Sequence, residues 1–303
     1  MKFMTFCRWS LGGVLGVTGL AAAEAGIDAY TREIEAWRAG RVEHLTKADG
    51  WLSLIGLHFL KPGENTVGSA PDNVVVLAKG PAHLGSVTLA AGGKVKAVFN
   101  PGLGVQVEGK EVLSAELKDD TRGGPMLVSV GTVSFFVIDR GGRKALRVKD
   151  TEAERRIHFL GVDYFPIDPT WRIEAQWVPF EKPREVPIRN ILGDVSPALI
   201  LGKAVFTRDG HTCELLPIQE APDDVLFFVI SDLTSGNQTY EAARFLYAAP
   251  PSDGKVVLDF NKTQNPPCAF TPFATCPLPP KENQMKIAVI AGEKKYRGHG
   301  VSP

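Results

Sequence analysis

Hydrophobic and polar positions change their period once along this chain, close to Gly50. Before it, "IDAYTREIEAWRAGRVEHL" places Ile27, Tyr30, Ile34 and Trp37 at three- and four-residue steps, with Arg32, Glu33, Glu35 and Arg38 on the other faces. That is the stripe of an amphipathic helix, predicted over residues 24–47 and packed on the body of the protein. After Gly50 the pattern becomes that of short strands. "WLSLIGLHFL" ends at the turn signal "KPGEN", and "VVVL", "SVTLA", "KVKAVF", "GVQVEG" and "KEVLSAEL" follow with Gly-rich or Asn-Pro breaks. "MLVSVGTVSFFVIDRGGRKALRVKD" reads as strand, strand, Gly-Gly hairpin and strand. Strands at this spacing, with little helix between them, predict antiparallel layers rather than a parallel α/β sheet.

The irregular stretch "TEAERRIHFLGVDYFPIDPT" (Thr151 to Thr170) divides the strands into two groups. The expected fold is therefore mainly β: a helix, a first module over 48–155 of sandwich type, and a second over 156–296 of barrel or sandwich type. In the second, Asp209-Gly210 marks a hairpin between "ALILGKAVFTR" and "HTCELLPI". Within the first, "NTVGSAPDNVVVLAKGPAHLGSVTL" resembles the forkhead-associated sandwich. Val67-Gly68-Ser69 stands where that family has Gly-Arg, and Pro81-Ala82-His83 lacks the preceding serine. The resemblance thus implies sandwich topology without a phosphothreonine grip.

Composition adds a compartment. Lys2 and Arg8 precede the apolar run Leu11 to Ala23, and small residues follow at Ala21-Ala22-Ala23 and Ala23-Glu24-Ala25. This is the layout of a secretory signal peptide over residues 1–23, shorter than the ~20 apolar residues of a membrane span. A periplasmic or secreted location is expected, with no stable membrane span after cleavage. The whole chain carries 34 basic and 34 acidic residues. Without Lys2 and Arg8 the balance becomes 32 against 34, about −2, and no basic run interleaves with aromatics; nucleic acid is not an expected partner.

Motifs for chemistry are sparse. There is no nucleophile elbow, no H-E-x-x-H, no Walker loop and no C-x-x-C, and His44, His58, His83, His158, His211 and His299 are scattered. Neither a metal nor a cofactor is implied. Carboxylates beside turns, Asp163 and Asp168 among them, are ordinarily solvated or bonded to backbone.

One segment departs from the rest: "LDFNKTQNPPCAFTPFATCPLPPKEN", an irregular, Pro-rich loop over 259–283 with apolar anchors and several asparagines. Loops of this length in a compact domain are usually functional or disordered, and Phe270, Phe273 and Leu278 argue for packing. Buried backbone there needs side-chain partners, which suits Asn261, Asn265, Thr271, Thr275 and Asn283. In an oxidising compartment Cys268 and Cys276 are disulfide candidates, worth ~2–3 kcal/mol through loop closure. A nucleophilic Cys268 is the alternative, and Cys213 in "GHTCELL" is expected as a buried free thiol.

"RFLYAAPPSDGKVVLDFNKTQNPPCAFTPFATCPLPPKENQMKIAVIAGEKKY" resembles the domain-of-unknown-function family 1684. The resemblance extends through "DGWLSLIGLHFLKPGENTVGSAPDN", "PAHLG", "SFFVIDRGGRKALRVKD" and "GVDYFPIDPTWRIEA". It implies no activity. The positions it marks are Arg147, Asp150, Arg244, Tyr247, Asp259, Asn261, Asn265, Cys268, Cys276, Glu282, Asn283 and Glu293.

Three functions remain open on the sequence. The first is a small-molecule or glycan site on the second module, with Arg244, Tyr247, Asp259, Asn261, Asn265, Glu282 and Asn283 as ligand contacts. Arg244 would clamp an acidic group, or pair with Asp259 or Glu282 in the fold. The second is a hydrolase using Asp259 and Glu282 as general base and acid, which requires the two to face each other across a cleft. The third is a non-catalytic envelope scaffold with the loop packed shut.

Overall fold

The computed structural model describes residues 17–121, 123–219 and 223–298. Residues 1–16, which carry most of the expected signal peptide, lie outside them; Val17–Ala23 form the first turns of helix α1 (Val17–Thr46). Among the described residues the helix thus already covers Val17, ahead of the expected start at residue 24. Its inward stripe also differs slightly from the expected one. Ile34 and Leu45 are fully buried, whereas Ile27 is 52% exposed. Polar side chains complete the stripe: Tyr30 donates to Asp259 Oδ1 at 2.8 Å, and Arg41 Nε donates to Glu293 Oε1 at 2.9 Å. No described helix is long and apolar enough to cross a membrane.

Beyond the helix the protein is mainly antiparallel β. Two sheets form the first module. One has five strands in the order 75–76, 63–68, 85–89, 95–99 and 114–117; the other has six in the order 54–59, 143–150, 133–140, 128–130, 106–107 and 110–111. Alternate residues from both, including Val67, Val87 and Ala97 on one side and Phe135, Val137, Leu146 and Val148 on the other, share one core. This is sandwich packing, each strand turning every second residue inward. Period two also fixes what points outward. Phe136 lies directly opposite Arg147, and Arg140 and Lys149 share their face, so the outer face of the six-stranded sheet is strongly basic.

The second module packs a four-stranded sheet (211–215, 195–208, 172–189 and 255–259) against the pair Leu226–Ile230 and Arg244–Ala248. These sheets remain open and close no barrel. Asp209 and Gly210 turn the expected hairpin with φ of 50° and 75°, matching a type I′ turn. In the two-stranded pair, Leu226, Phe228, Ile230, Leu246 and Ala248 face the core, with Arg244 in register on the same side. Phe227, Phe245 and Tyr247 consequently face the other way, toward the helix and the first module.

The hairpin between strands 172–189 and 195–208 crosses the seam between modules. Asp194 at its tip pairs with Arg143 of the first module at 2.8 Å. Beside it, Ile191 N donates to Cys276 O at 2.9 Å and Leu278 N to Arg189 O at 2.7 Å. The irregular 259–283 segment is thereby held as an extra, imperfect edge. Short 3₁₀ turns at Phe260–Lys262, Pro267–Ala269 and Lys281–Asn283 replace the ladder that Pro266 and Pro267 cannot join.

Candidate functional site

A cavity of about 630 Å³ opens where the helix, the basic sheet face and the irregular segment meet, a size usual for a small-molecule site. Helix α1 contributes Trp37, Arg41 and His44, one turn apart on a single face. The six-stranded sheet contributes Arg140 and Arg147, and the two-stranded pair contributes Phe227, Phe245 and Tyr247. The irregular segment closes the wall with Asn265, Thr275 and Cys276. The aromatic wall is pre-ordered: Phe227 stacks on Tyr247 with centroids 4.9 Å apart and meets Phe245 edge-on at 4.8 Å. His44, Trp51 and Arg147 also line a second hollow of about 460 Å³, so Arg147 stands between the two.

Three guanidinium groups face the main cavity, and two of them are neutralised from behind. Arg41 pairs with fully buried Glu293 at 2.9 Å and donates to Asn265 O at 2.9 Å. Arg140 pairs with Asp120 at 2.7 Å and donates to Thr275 Oγ1 at 3.0 Å. Arg147 differs. It is only 5% exposed, makes no ion pair among the described residues, and donates from Nη2 to Thr275 Oγ1 at 3.1 Å. Its Nε has no partner. Burial, reinforced by repulsion from Arg140, lowers its pKa to about 10, although Asp120 acts in the opposite sense. Arg147 is still cationic near neutral pH; among the described residues no carboxylate lines the main cavity, while Asp49 and Asp120 line the hollow on its other side.

Of the ligand contacts predicted from sequence, Tyr247 and Asn265 line this cavity and the others do not. Arg244 is inside the second core, where Nη2 donates to Asp232 Oδ2 at 2.7 Å and to Val289 O at 2.9 Å, and Nη1 to Ala291 O at 2.6 Å. Its partner is Asp232, not the expected Asp259 or Glu282. Asp259 and Asn261 anchor the helix: both bond the Tyr30 hydroxyl, and Asn261 also grips the Asp168 backbone at 2.8 and 3.1 Å. Asn283 ties Leu216 and Val229 together through three bonds to their backbones. Buried backbone next to an irregular segment needs such side-chain partners, and these asparagines supply them.

Asp259 and Glu282 do not form a facing pair. Asp259 is buried under Tyr30, whereas Glu282 is exposed on a 3₁₀ turn. Cys268 and Cys276 are also corrected, being adjacent free thiols rather than a disulfide. A hydrogen-bonded contact takes the place of the bond, with Cys268 N donating to Cys276 Sγ at 3.2 Å. The sulfur–sulfur hydrogen bond lowers the pKa of Cys268 and raises that of Cys276. Cys213 is a buried free thiol.

Sequence reasoning missed Trp37, Arg41, His44, Trp51 and Arg140 as members of one site. Arg147 carried a signal through the family resemblance, but no role. Nothing in the residue pattern could have shown that a sandwich face, a helix and a distant loop converge.

By its architecture the chain is a helix-capped, mainly antiparallel β protein with a basic, aromatic cavity at the seam of its modules. Residues 157–294 match the family described as "Protein of unknown function (DUF1684)", and the chain belongs to that family. Among solved structures it is similar to an uncharacterized protein of Haloarcula marismortui determined by solution NMR. The two are 32% identical with a TM-score of 0.40, over 48% of this chain and 81% of the other. No curated protein matches the chain.

Proposed function

We propose that this protein, exported by its N-terminal leader, binds a small organic anion in the cavity between α1, the basic sheet face and the 259–283 segment. The observation that carries this reading is Arg147: a buried cation on the cavity wall that makes no ion pair among the described residues. Holding such a charge out of water costs several kcal/mol unless an opposite charge arrives. An acidic ligand supplies that charge, while the stacked aromatic wall receives its apolar part. The site therefore moves from the second module alone to the seam. Cleavage after Ala23 leaves Trp37, Arg41 and His44 in the mature chain.

A thermal-shift panel of organic acids, matched neutral amides, sugars and nucleotides tests this on the wild type and on Arg147→Met. Ligands that bind only the folded state raise Tm, so organic acids should shift the wild type and leave the variant unmoved. Equal shifts in both proteins, or shifts from neutral compounds alone, would remove Arg147 as the anchor and the proposal with it. Export is tested separately by finding the mature N-terminus at Glu24 in the extracytoplasmic fraction.

A further inference from the structure

Resting on the anion-site reading, the geometry points to a narrower ligand class. We propose an amphipathic monocarboxylate that carries an N–H or O–H donor, of the N-acyl amino acid kind, rather than a phosphate monoester or a neutral sugar.

Charge balance selects one negative charge. Arg41 and Arg140 are already paired, with Glu293 at 2.9 Å and Asp120 at 2.7 Å. Arg147 is left as the one arginine on the wall without a carboxylate among the described residues. A carboxylate balances it. A phosphate monoester, dianionic near neutral pH, brings a second charge that would have to displace Glu293 or Asp120 from its arginine. A neutral sugar leaves Arg147 buried and unanswered.

A second orphan atom selects the donor. Asn265 is 1% exposed, its backbone N–H donates to Glu293 Oε2 at 2.6 Å, and its Nδ2 donates to Lys294 O at 2.8 Å. The Nδ2 bond orients the side-chain amide, and its Oδ1, on a residue that lines the cavity, is a buried acceptor without a partner among the described residues. The orphan pair is thus a cationic donor on Arg147 and a neutral acceptor on Asn265, complementary to a carboxylate and an amide N–H or hydroxyl. In the same cavity Phe227, Phe245, Tyr247 and Trp37 offer stacking surface to an aryl or acyl body.

Calorimetric titration of the full protein with five probes tests the class. The probes are N-benzoylglycine, its N-methyl derivative, N-benzoylglycinamide, N-acetylglycine and N-benzoylethanolamine phosphate. N-benzoylglycine should bind most tightly. Removing the N–H, the charge or the aryl group should each weaken binding at least tenfold, and the phosphate should bind at least tenfold more weakly than the carboxylate. Tighter binding of the phosphate overturns the monocarboxylate assignment but leaves an anion site. Unchanged binding of the N-methyl derivative removes Asn265 from the argument and the donor with it. Amide and carboxylate binding equally would end both the class and the underlying anion reading. No binding by any of the five overturns the class, with the anion reading then resting on the organic-acid panel.

Discussion

Two buried arginines, Arg244 and Arg147, carry the same side chain in opposite circumstances. Arg244 is 1% exposed and Arg147 is 5% exposed, and each leaves its Nε without a partner. Burial lowers the pKa of both. They differ in what answers the charge. Asp232 lies against Arg244 at 2.7 Å and is itself fixed by Thr234 and Val289, while two backbone carbonyls and Thr263 complete the cage. Arg147 has one threonine hydroxyl, the face of Trp51 at 5.5 Å and an open cavity. A closed, charge-balanced cage is architecture; a buried cation beside empty space is the feature on which the proposed anion site rests.

The sharpest way to break this contrast is Arg244→Met. Removing one partner of a buried pair strands Asp232 in the core and is expected to cost about 3–5 kcal/mol of stability. Chemical denaturation of wild type and variant measures it. A loss below about 1 kcal/mol would mean that the cage is not structural and that Arg244 should be reconsidered as a functional residue.

Arg147→Met should behave in the opposite way. Replacing an unbalanced buried cation by an apolar group of similar length is expected to leave stability unchanged or raise it by about 1–4 kcal/mol. The same change removes a charge-assisted hydrogen bond of about 1.5–3 kcal/mol to an acidic ligand, a loss of roughly 10- to 100-fold in affinity. Stability gained where binding is lost is the signature of a site held at some cost to the fold. Destabilisation by Arg147→Met comparable to that of Arg244→Met would erase the distinction.

Sequence made one side of this comparison legible and hid the other. The period change at Gly50, the helix stripe and the Asp209-Gly210 turn are local patterns, and local patterns specified the mainly β fold. The asparagines of the irregular segment were expected to serve buried backbone, and Asn261 and Asn283 do so. Arg244 looked the stronger ligand contact because it lies in the distinctive C-terminal segment. Its partner Asp232 is twelve residues away, on a connection that no period marks. Arg147 sits among alternating strand residues like any outward-facing arginine. Its surroundings come from Thr275 and Trp51, which lie 128 residues later and 96 residues earlier, contacts that strand periodicity does not encode.

A smaller effect makes the burial of Arg147 readable through pH. With a folded pKa near 10 against an ordinary 12.5, Arg147 is charged in both folded and unfolded chains below about pH 9, so its contribution there is flat. Between about 10 and 12.5 the unfolded chain holds the proton that the folded one has released, and folding gains with rising pH. The stability advantage of Arg147→Met over wild type should therefore be constant up to pH 9 and shrink above pH 10. Affinity for an organic acid should fall over the same upper range in the wild type. Denaturation and titration at pH 8, 9.5 and 10.5 resolve this, and an advantage that grows with pH would contradict the assigned burial cost.

The smallest expected effect belongs to Glu282, where the comparison extends to the carboxylates. Asp259 is buried and holds Tyr30 through a 2.8 Å hydrogen bond, whereas Glu282 stands exposed on its 3₁₀ turn. A general acid needs a partner across a shared cleft, and an exposed carboxylate on a different element from Asp259 does not provide one. Glu282→Gln should leave stability within about 0.5 kcal/mol and organic-acid affinity unchanged. Asp259→Asn should loosen the helix and, through Trp37 and Arg41, weaken binding. A Glu282→Gln variant that lost binding or an assayed hydrolysis while remaining folded would place chemistry on the second module after all, and would make the seam cavity a secondary feature of the protein.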